Sequence, residues 1–188
     1  MLTKWAKKLI GFSTDNAIMF FNGALGCIEC KGINGTDYIT GPGNFAGTLT
    51  FITNPSATGS SPSNGIAVGS GSTPATENDY TVESILTSLT CGSLSVDRSY
   101  DSVNGKMYYF VNLALSNPTA EDITVNEVCR LARCFKVTNF GDAVPTSGSN
   151  GICVMMDRTV LDTPLVVPAG ESAILRYRIG YDVDKPEV

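Results

Sequence analysis

Six cysteines, at Cys27, Cys30, Cys91, Cys129, Cys134 and Cys153, are the residues of this 188-residue chain whose type and spacing most invite chemistry. Cys27-Ile28-Glu29-Cys30 is a CxxC, and Cys129 with Cys134 would complete a tetrahedral four-thiolate zinc site. The second pair has four intervening residues rather than two and falls in a run that reads as strand, which argues against metal. A redox dithiol wants a strand-to-helix context that the CxxC lacks. A chain this long with many aliphatics needs no staples, and Cys91, Cys129 and Cys153 sit in apolar runs where thiols behave as small hydrophobes. The expectation is mostly reduced cysteines, with no metal and no cofactor.

The remaining chemistry-bearing groups are carboxylates and glycine loops. Asp157 and Asp162 are a candidate acid and base for glycoside hydrolysis, but nothing in their spacing fixes a separation. Arg158 beside Asp157 reads more simply as a surface ion pair, and Asp162-Thr163-Pro164 as a turn. Asp182 and Asp184 share a face of an extended chain, yet DVDKPEV lacks the ligand series of a calcium loop. Gly41-Pro42-Gly43 and Gly69-Ser70-Gly71 are loops of a phosphate-cradling kind that lead into no helix and carry no P-loop lysine; they read as turns. The chain has no histidine. Imidazole acid–base catalysis, Ser-His-Asp and Cys-His sites and imidazole metal sites go with it.

Charge narrows the partners. The net charge is −5, and Lys4, Lys7 and Lys8 are the one basic cluster; the later bases are scattered from Lys31 to Lys185 among more numerous acids. No specific nucleic-acid binding is expected, because phosphate neutralisation requires clustered Lys and Arg. The polar run Ser13-Thr14-Asp15-Asn16 interrupts the apolar stretch that export or spanning would need, so neither a membrane span nor processing is expected.

The elements that must position these residues are short. Nineteen glycines and nine prolines break the chain into pieces, the composition of an all-β protein with many turns. Leu2, Trp5, Ala6, Leu9 and Ile10 lie at helical spacing in an N-terminal arm over residues 1–14; it reads either as an amphipathic element that docks on a partner or membrane surface, or as a frayed end. Residues 15–53 contribute strands, divided by the turns Asn22-Gly23 and Asn34-Gly35. From Tyr38 to Thr76 no residue is charged, and residues 54–79 form a Gly/Ser/Thr/Pro-rich extended segment. The uncharged stretch reads either as a long mobile loop or linker or as an extended segment ordered against another subunit, where its missing charges reduce the desolvation cost.

Thr76-Glu77-Asn78-Asp79 resembles a capping box before a short helical turn. Residues 80–182 then carry the main β-sandwich, ahead of a tail over 183–188. Lys106–Leu115 is apolar on both alternating faces, as a central strand is. The alternation after Ile123 falters at Glu127-Val128-Cys129-Arg130, where a bulge would keep Val128 and Leu131 inward. In the last strand Ala173, Leu175, Tyr177 and Ile179 face one way and Arg176 and Arg178 the other, after a Pro168–Glu171 turn. About eight or nine short antiparallel strands at this spacing read as a β-sandwich.

Three segments, VGSGSTPATENDYTVES from Val68, ITVNEVCRLAR from Ile123 and DRTVLDTPLVVPAGESAILRYRI from Asp157, resemble structural proteins of tailed-bacteriophage virions. The resemblance implies β-sandwich subunits that assemble at the tail, neck or capsid surface, with no catalytic residues. The function expected is therefore a non-enzymatic virion subunit, made in the host cytoplasm and assembled with copies of itself and other virion proteins, with host-surface contact as a further partner. Capsid decoration or a head fibre is the neighbouring alternative. A receptor- or glycan-binding module is the alternative of another class, for which Tyr108, Tyr109 and other aromatics must form a stacking platform. Trp5, Leu9 and Ile10 in the arm, with Arg176 and Arg178 on the polar face of the last strand, are the candidate subunit contacts.

Overall fold

The computed structural model describes residues 28–40, 50–55, 58–59, 65–137 and 151–182. These hold ten strands and no helix: β1 (Ile28–Lys31), β2 (Asp37–Thr40), β3 (Thr50–Phe51), β4 (Thr58–Gly59), β5 (Gly65–Gly69), β6 (Thr90–Asp101), β7 (Lys106–Ser116), β8 (Ile123–Val137), β9 (Gly151–Val167) and β10 (Ser172–Asp182). The fold is all-β. The chain divides into two compact units, one from residues 1–87 and 125–164, the other from 88–124 and 165–188.

In the first unit β1 and β2 form a sheet with the end of β8, and β8 carries that sheet on into the pairing with β5, β3 and β9, giving one seven-stranded sheet. β1 with β2, β2 with β8, β4 with β9 and β5 with β8 pair antiparallel, and β3 runs parallel to β5. Both faces are covered. Cys30, Ala132, Cys134, Ile152, Val154 and Met156 cluster with Tyr38, while Ile52, Ala67, Val82, Cys129, Leu131, Cys153 and Met155 cluster with Ile33 and Ile85. Alternate residues of β9 thus enter different cores. That is why Ile152–Met156 is apolar without interruption, the pattern of a strand buried on both sides.

The uncharged segment is partly core. Gly65–Gly69 is buried throughout, paired with β8 from Gly65↔Leu131 to Gly69↔Glu127 and with β3 on its other side. For this stretch the expected cover by another subunit is supplied by the chain's own strands. Small residues are what allow it, since a Cβ at Gly65 would run into the backbone of Thr50.

The second unit is an antiparallel sheet in the order β10-β7-β6, so Lys106–Ser116 is the central strand its pattern implied. Val111, Leu113, Leu115, Leu175 and Tyr177 are buried and share one face through the registers Leu175↔Leu113 and Tyr177↔Val111. The β9–β10 turn is where it was expected: the Glu171 N–H donates to the Pro168 carbonyl at 3.0 Å, with Gly170 at φ +71°. Buried Asn117 ties the end of β7 to this turn, its Nδ2 donating to the carbonyls of Glu121 at 2.7 Å and Val167 at 2.9 Å. At the other end Asp101 accepts from the N–H groups of Val103 and Asn104 and closes the β6–β7 turn.

Four local expectations are corrected. No helical turn follows Thr76–Asp79; the capping contacts form, with Thr76 N–H donating to Asp79 Oδ2 at 3.0 Å, but the N–H groups of Glu83 and Ser84 donate to the Glu127 carboxylate instead of to a preceding turn. Val128 and Leu131 are both buried, as expected, but no bulge separates β8 from β5, whose register is unbroken through Glu127. Asp162-Thr163-Pro164 continues β9 rather than turning. Asp157 and Arg158 are not a surface pair: they are 3% and 4% exposed, and as strand neighbours they point apart to different partners. The arm over residues 1–14, Asn22-Gly23, Gly41-Pro42-Gly43 and Asp184 lie outside the described residues.

The approach of β5 to β3 sets one expectation. Gly65→Ala should lower stability by about 1–3 kcal/mol, because rigid backbone blocks the added methyl. Gly92→Ala, whose Cβ meets nothing nearer than the Ala114 carbonyl at 4.0 Å, should stay within about 0.5 kcal/mol of wild type. Urea unfolding followed by far-UV circular dichroism measures both, and equal midpoints for the two variants would refute the close-approach argument.

Candidate functional site

Glu127 lies in the middle of β8 and is fully buried. Its Oε1 accepts the backbone N–H groups of Gly71 at 3.1 Å, Glu83 at 3.0 Å and Ser84 at 3.2 Å. Its Oε2 is held by Arg158 Nε at 2.6 Å. The same guanidinium donates from Nη1 to Asp79 Oδ2 at 2.8 Å and from Nη2 to the Thr73 carbonyl at 3.1 Å. Glu83 completes the network by accepting from the N–H and hydroxyl of Thr73. Gly69 and Gly71 are glycines for a contact reason, because a Cβ on either would collide with the Glu127 carboxylate.

Gly69-Ser70-Gly71, expected as a turn, is instead part of an anion cradle, and the anion is a carboxylate from the chain itself. Burial works against the Asp79 carboxylate, but the Thr76 N–H and Arg158 outweigh it and hold Asp79 below the ordinary range. Burial likewise works against charge on Arg158, yet Asp79 and Glu127 raise its pKa. A guanidinium bonded on three sides inside the protein is a clasp for the segment from Thr73 to Ser84. Asp157 is occupied in the same region, paired with Arg130 at 3.1 Å, while Asp162 stands exposed further along β9. The two carboxylates are not assembled as an acid–base pair.

The cysteines are dispersed between cores. Cys30 and Cys134 belong to one cluster and Cys129 and Cys153 to the other, so three of the four thiols weighed as a zinc set are divided, and the fourth, Cys27, lies outside the described residues. Cys91, Cys129 and Cys134 carry free thiols. Burial pushes the Cys153 thiol up to about 12 and raises those of Cys129 and Cys134 strongly, which disfavours thiolate chemistry. Among the described residues no three Cys, Asp or Glu side chains group as a metal site, and no helix is long and apolar enough to cross a membrane.

The second cluster of functional groups is exposed. Arg176 and Arg178 project from β10, on the face opposite Leu175 and Tyr177. Arg176 lies over the Phe110 ring at 4.1 Å and Arg178 over Tyr108 at 5.4 Å. The two rings are 6.2 Å apart and tilted by 36°. Asn112, next on this face, donates to Asp97 Oδ2 of β6 at 2.8 Å. Tyr109 points the other way, beneath Arg98 at 5.6 Å. The Tyr108–Tyr109 platform does not form, because consecutive strand residues cannot share a face. Trp5, Leu9 and Ile10 lie outside the described residues. Sequence reasoning missed Glu127, Asp79 and the buried role of Arg158; the signal was one acid inside an apolar run, read as faltering alternation.

Comparison with protein-family models, curated proteins and solved structures gives no match for this chain.

The network generates two expectations. Glu127→Gln should cost about 1.5–3 kcal/mol, because it removes one of the two carboxylates hydrogen-bonded to buried Arg158 and leaves Asp79 to balance it; a loss below about 1 kcal/mol in urea unfolding would contradict the clasp. Asp79, lowered in the folded state, contributes stability that is present above the ordinary carboxylate range and lost as pH falls through its folded value, below about pH 4. Asp79→Asn should flatten the decline of the urea midpoint between about pH 5 and pH 2. An unaltered slope would show that this carboxylate does not carry the acid sensitivity.

Proposed function

We propose that the chain is a non-enzymatic structural subunit of a bacteriophage virion, a tail, neck or collar component of β-sandwich type that assembles with copies of itself and other virion proteins. The observation that carries the reading is the exposed face of β10 and β7. Arginine over aromatic rings is the composition enriched at protein interfaces and at their energetic centres. The resemblance of the Val68, Ile123 and Asp157 segments to phage structural proteins points the same way. The chemistry-bearing groups of the first unit support a scaffold as well, since Glu127 and Arg158 are spent on each other, on Asp79 and on backbone, and Asp157 on Arg130. Trp5, Leu9 and Ile10 of the arm are proposed as further contacts.

Capsid decoration or a head fibre would use the same surface at another position on the particle. A glycan-binding module finds less support, because the rings that would stack on a sugar are covered by Arg176 and Arg178. An antibody raised against the purified chain, applied to particles released from the host that carries its gene, tests the proposal. Gold label along the tail axis or at the neck is the expected result, label over the head lattice favours decoration, and unlabelled particles would overturn the virion reading.

A further inference from the structure

The sheet of the second unit ends in two long edges. β6 has twelve residues and β10 eleven, about twice the usual strand length, and neither outer edge pairs with a strand among the described residues. Protected edges are short, or carry charged side chains, proline or bulges. β10, SAILRYRIGYD, has no proline and keeps an unbroken register with β7, and its two arginines lie over rings of β7, on the side away from the outer edge. β6 has a single register shift, at its Cys91–Ser93 end. Both edges are thus equipped to accept another strand.

We infer that a second copy of this chain lays its β6 edge against the β10 edge of the first, continuing the sheet head to tail. This deepens the subunit reading and rests on it for the identity of the partner. The argument is complementarity at matched levels. Arg178 and Asp97 are both Cα partners of Phe110, Arg176 and Ser95 are both partners of Asn112, and Tyr177 and Val96 are both partners of Val111. Shifting one sheet sideways by its own width, about 14 Å for three strands, therefore sets Arg178 beside Asp97 of the next copy and Arg176 beside Ser95. On the other face Tyr177 comes to lie beside Val96, which is 45% exposed in the single chain. β10 and β6 both run antiparallel to β7, so the junction is parallel.

The symmetric alternative is worse. Pairing β10 with β10 of a second copy would gather four guanidiniums on one face, and like charges opposed across strands are destabilising. A head-to-tail junction repeats without using up its own edges and closes into a ring or extends as a filament.

Sedimentation of the full chain over a concentration series, with circular dichroism to confirm folding, tests this. Wild type should gain mass with concentration. Asp97→Arg and Arg178→Asp should each raise the concentration for half-assembly about tenfold or more. The double variant D97R/R178D should restore assembly, as should an equimolar mixture of the two single variants, because each junction then again opposes unlike charges. A folded single variant that assembles like wild type, a folded double variant that does not, or a wild type that stays monomeric would each overturn the junction. None of these bears on whether the chain is present in particles, which the antibody labelling decides separately.

Discussion

One buried carboxylate constrains more of this molecule than any other group. Glu127 sits in a strand covered on both faces, where a bare anion would be expelled. It is tolerated because three backbone N–H groups and one guanidinium converge on it. Those donors come from Gly71, Glu83 and Ser84 in one segment and from Arg158 in β9, all distant from Glu127 in sequence, so satisfying the charge brings segment, β8 and β9 together. The segment between β5 and β6 then has little choice of path. Its glycines leave room for the carboxylate, its Asp79 receives the far side of Arg158, and its backbone gives up helix formation to supply donors.

How far the fold could be read from sequence follows from the same physics. β7 and β10 were legible because each carries an alternation or a two-sided apolar run that only a strand satisfies. β6 was not, since TCGSLSVDRSYD is mostly hydroxyl and charged; its pairing with β7 comes from cross-strand register rather than from its own composition. β5 was hidden for the opposite reason. Gly65–Gly69 has the small, uncharged look of a linker, and only the tight approach of Thr50 shows why small residues are required. At the site, Arg176 and Arg178 were placed correctly by period-two alternation, whereas Glu127 was obscured because a buried charge breaks the pattern used to find strands.

The two units assign different duties to arginine. Arg158 is enclosed and saturated, a structural cation that fixes one conformation of the loop around it. Arg176 and Arg178 are exposed and lie over the rings of Phe110 and Tyr108, where the cation is drawn to the face of the aromatic system. A chain that spends its internal charges on itself and presents arginine-capped aromatics beside unblunted strand edges is suited to joining other subunits. The proposal of a particle component draws on that division.

The central claim is that Glu127 organises the segment around it, and native-state amide exchange measures this directly. The N–H groups of Gly71, Glu83 and Ser84 share one acceptor, so they should exchange slowly and with a common opening free energy. Exchange of these three amides at the rate of exposed turn residues, with the flanking strands still protected, would contradict the account.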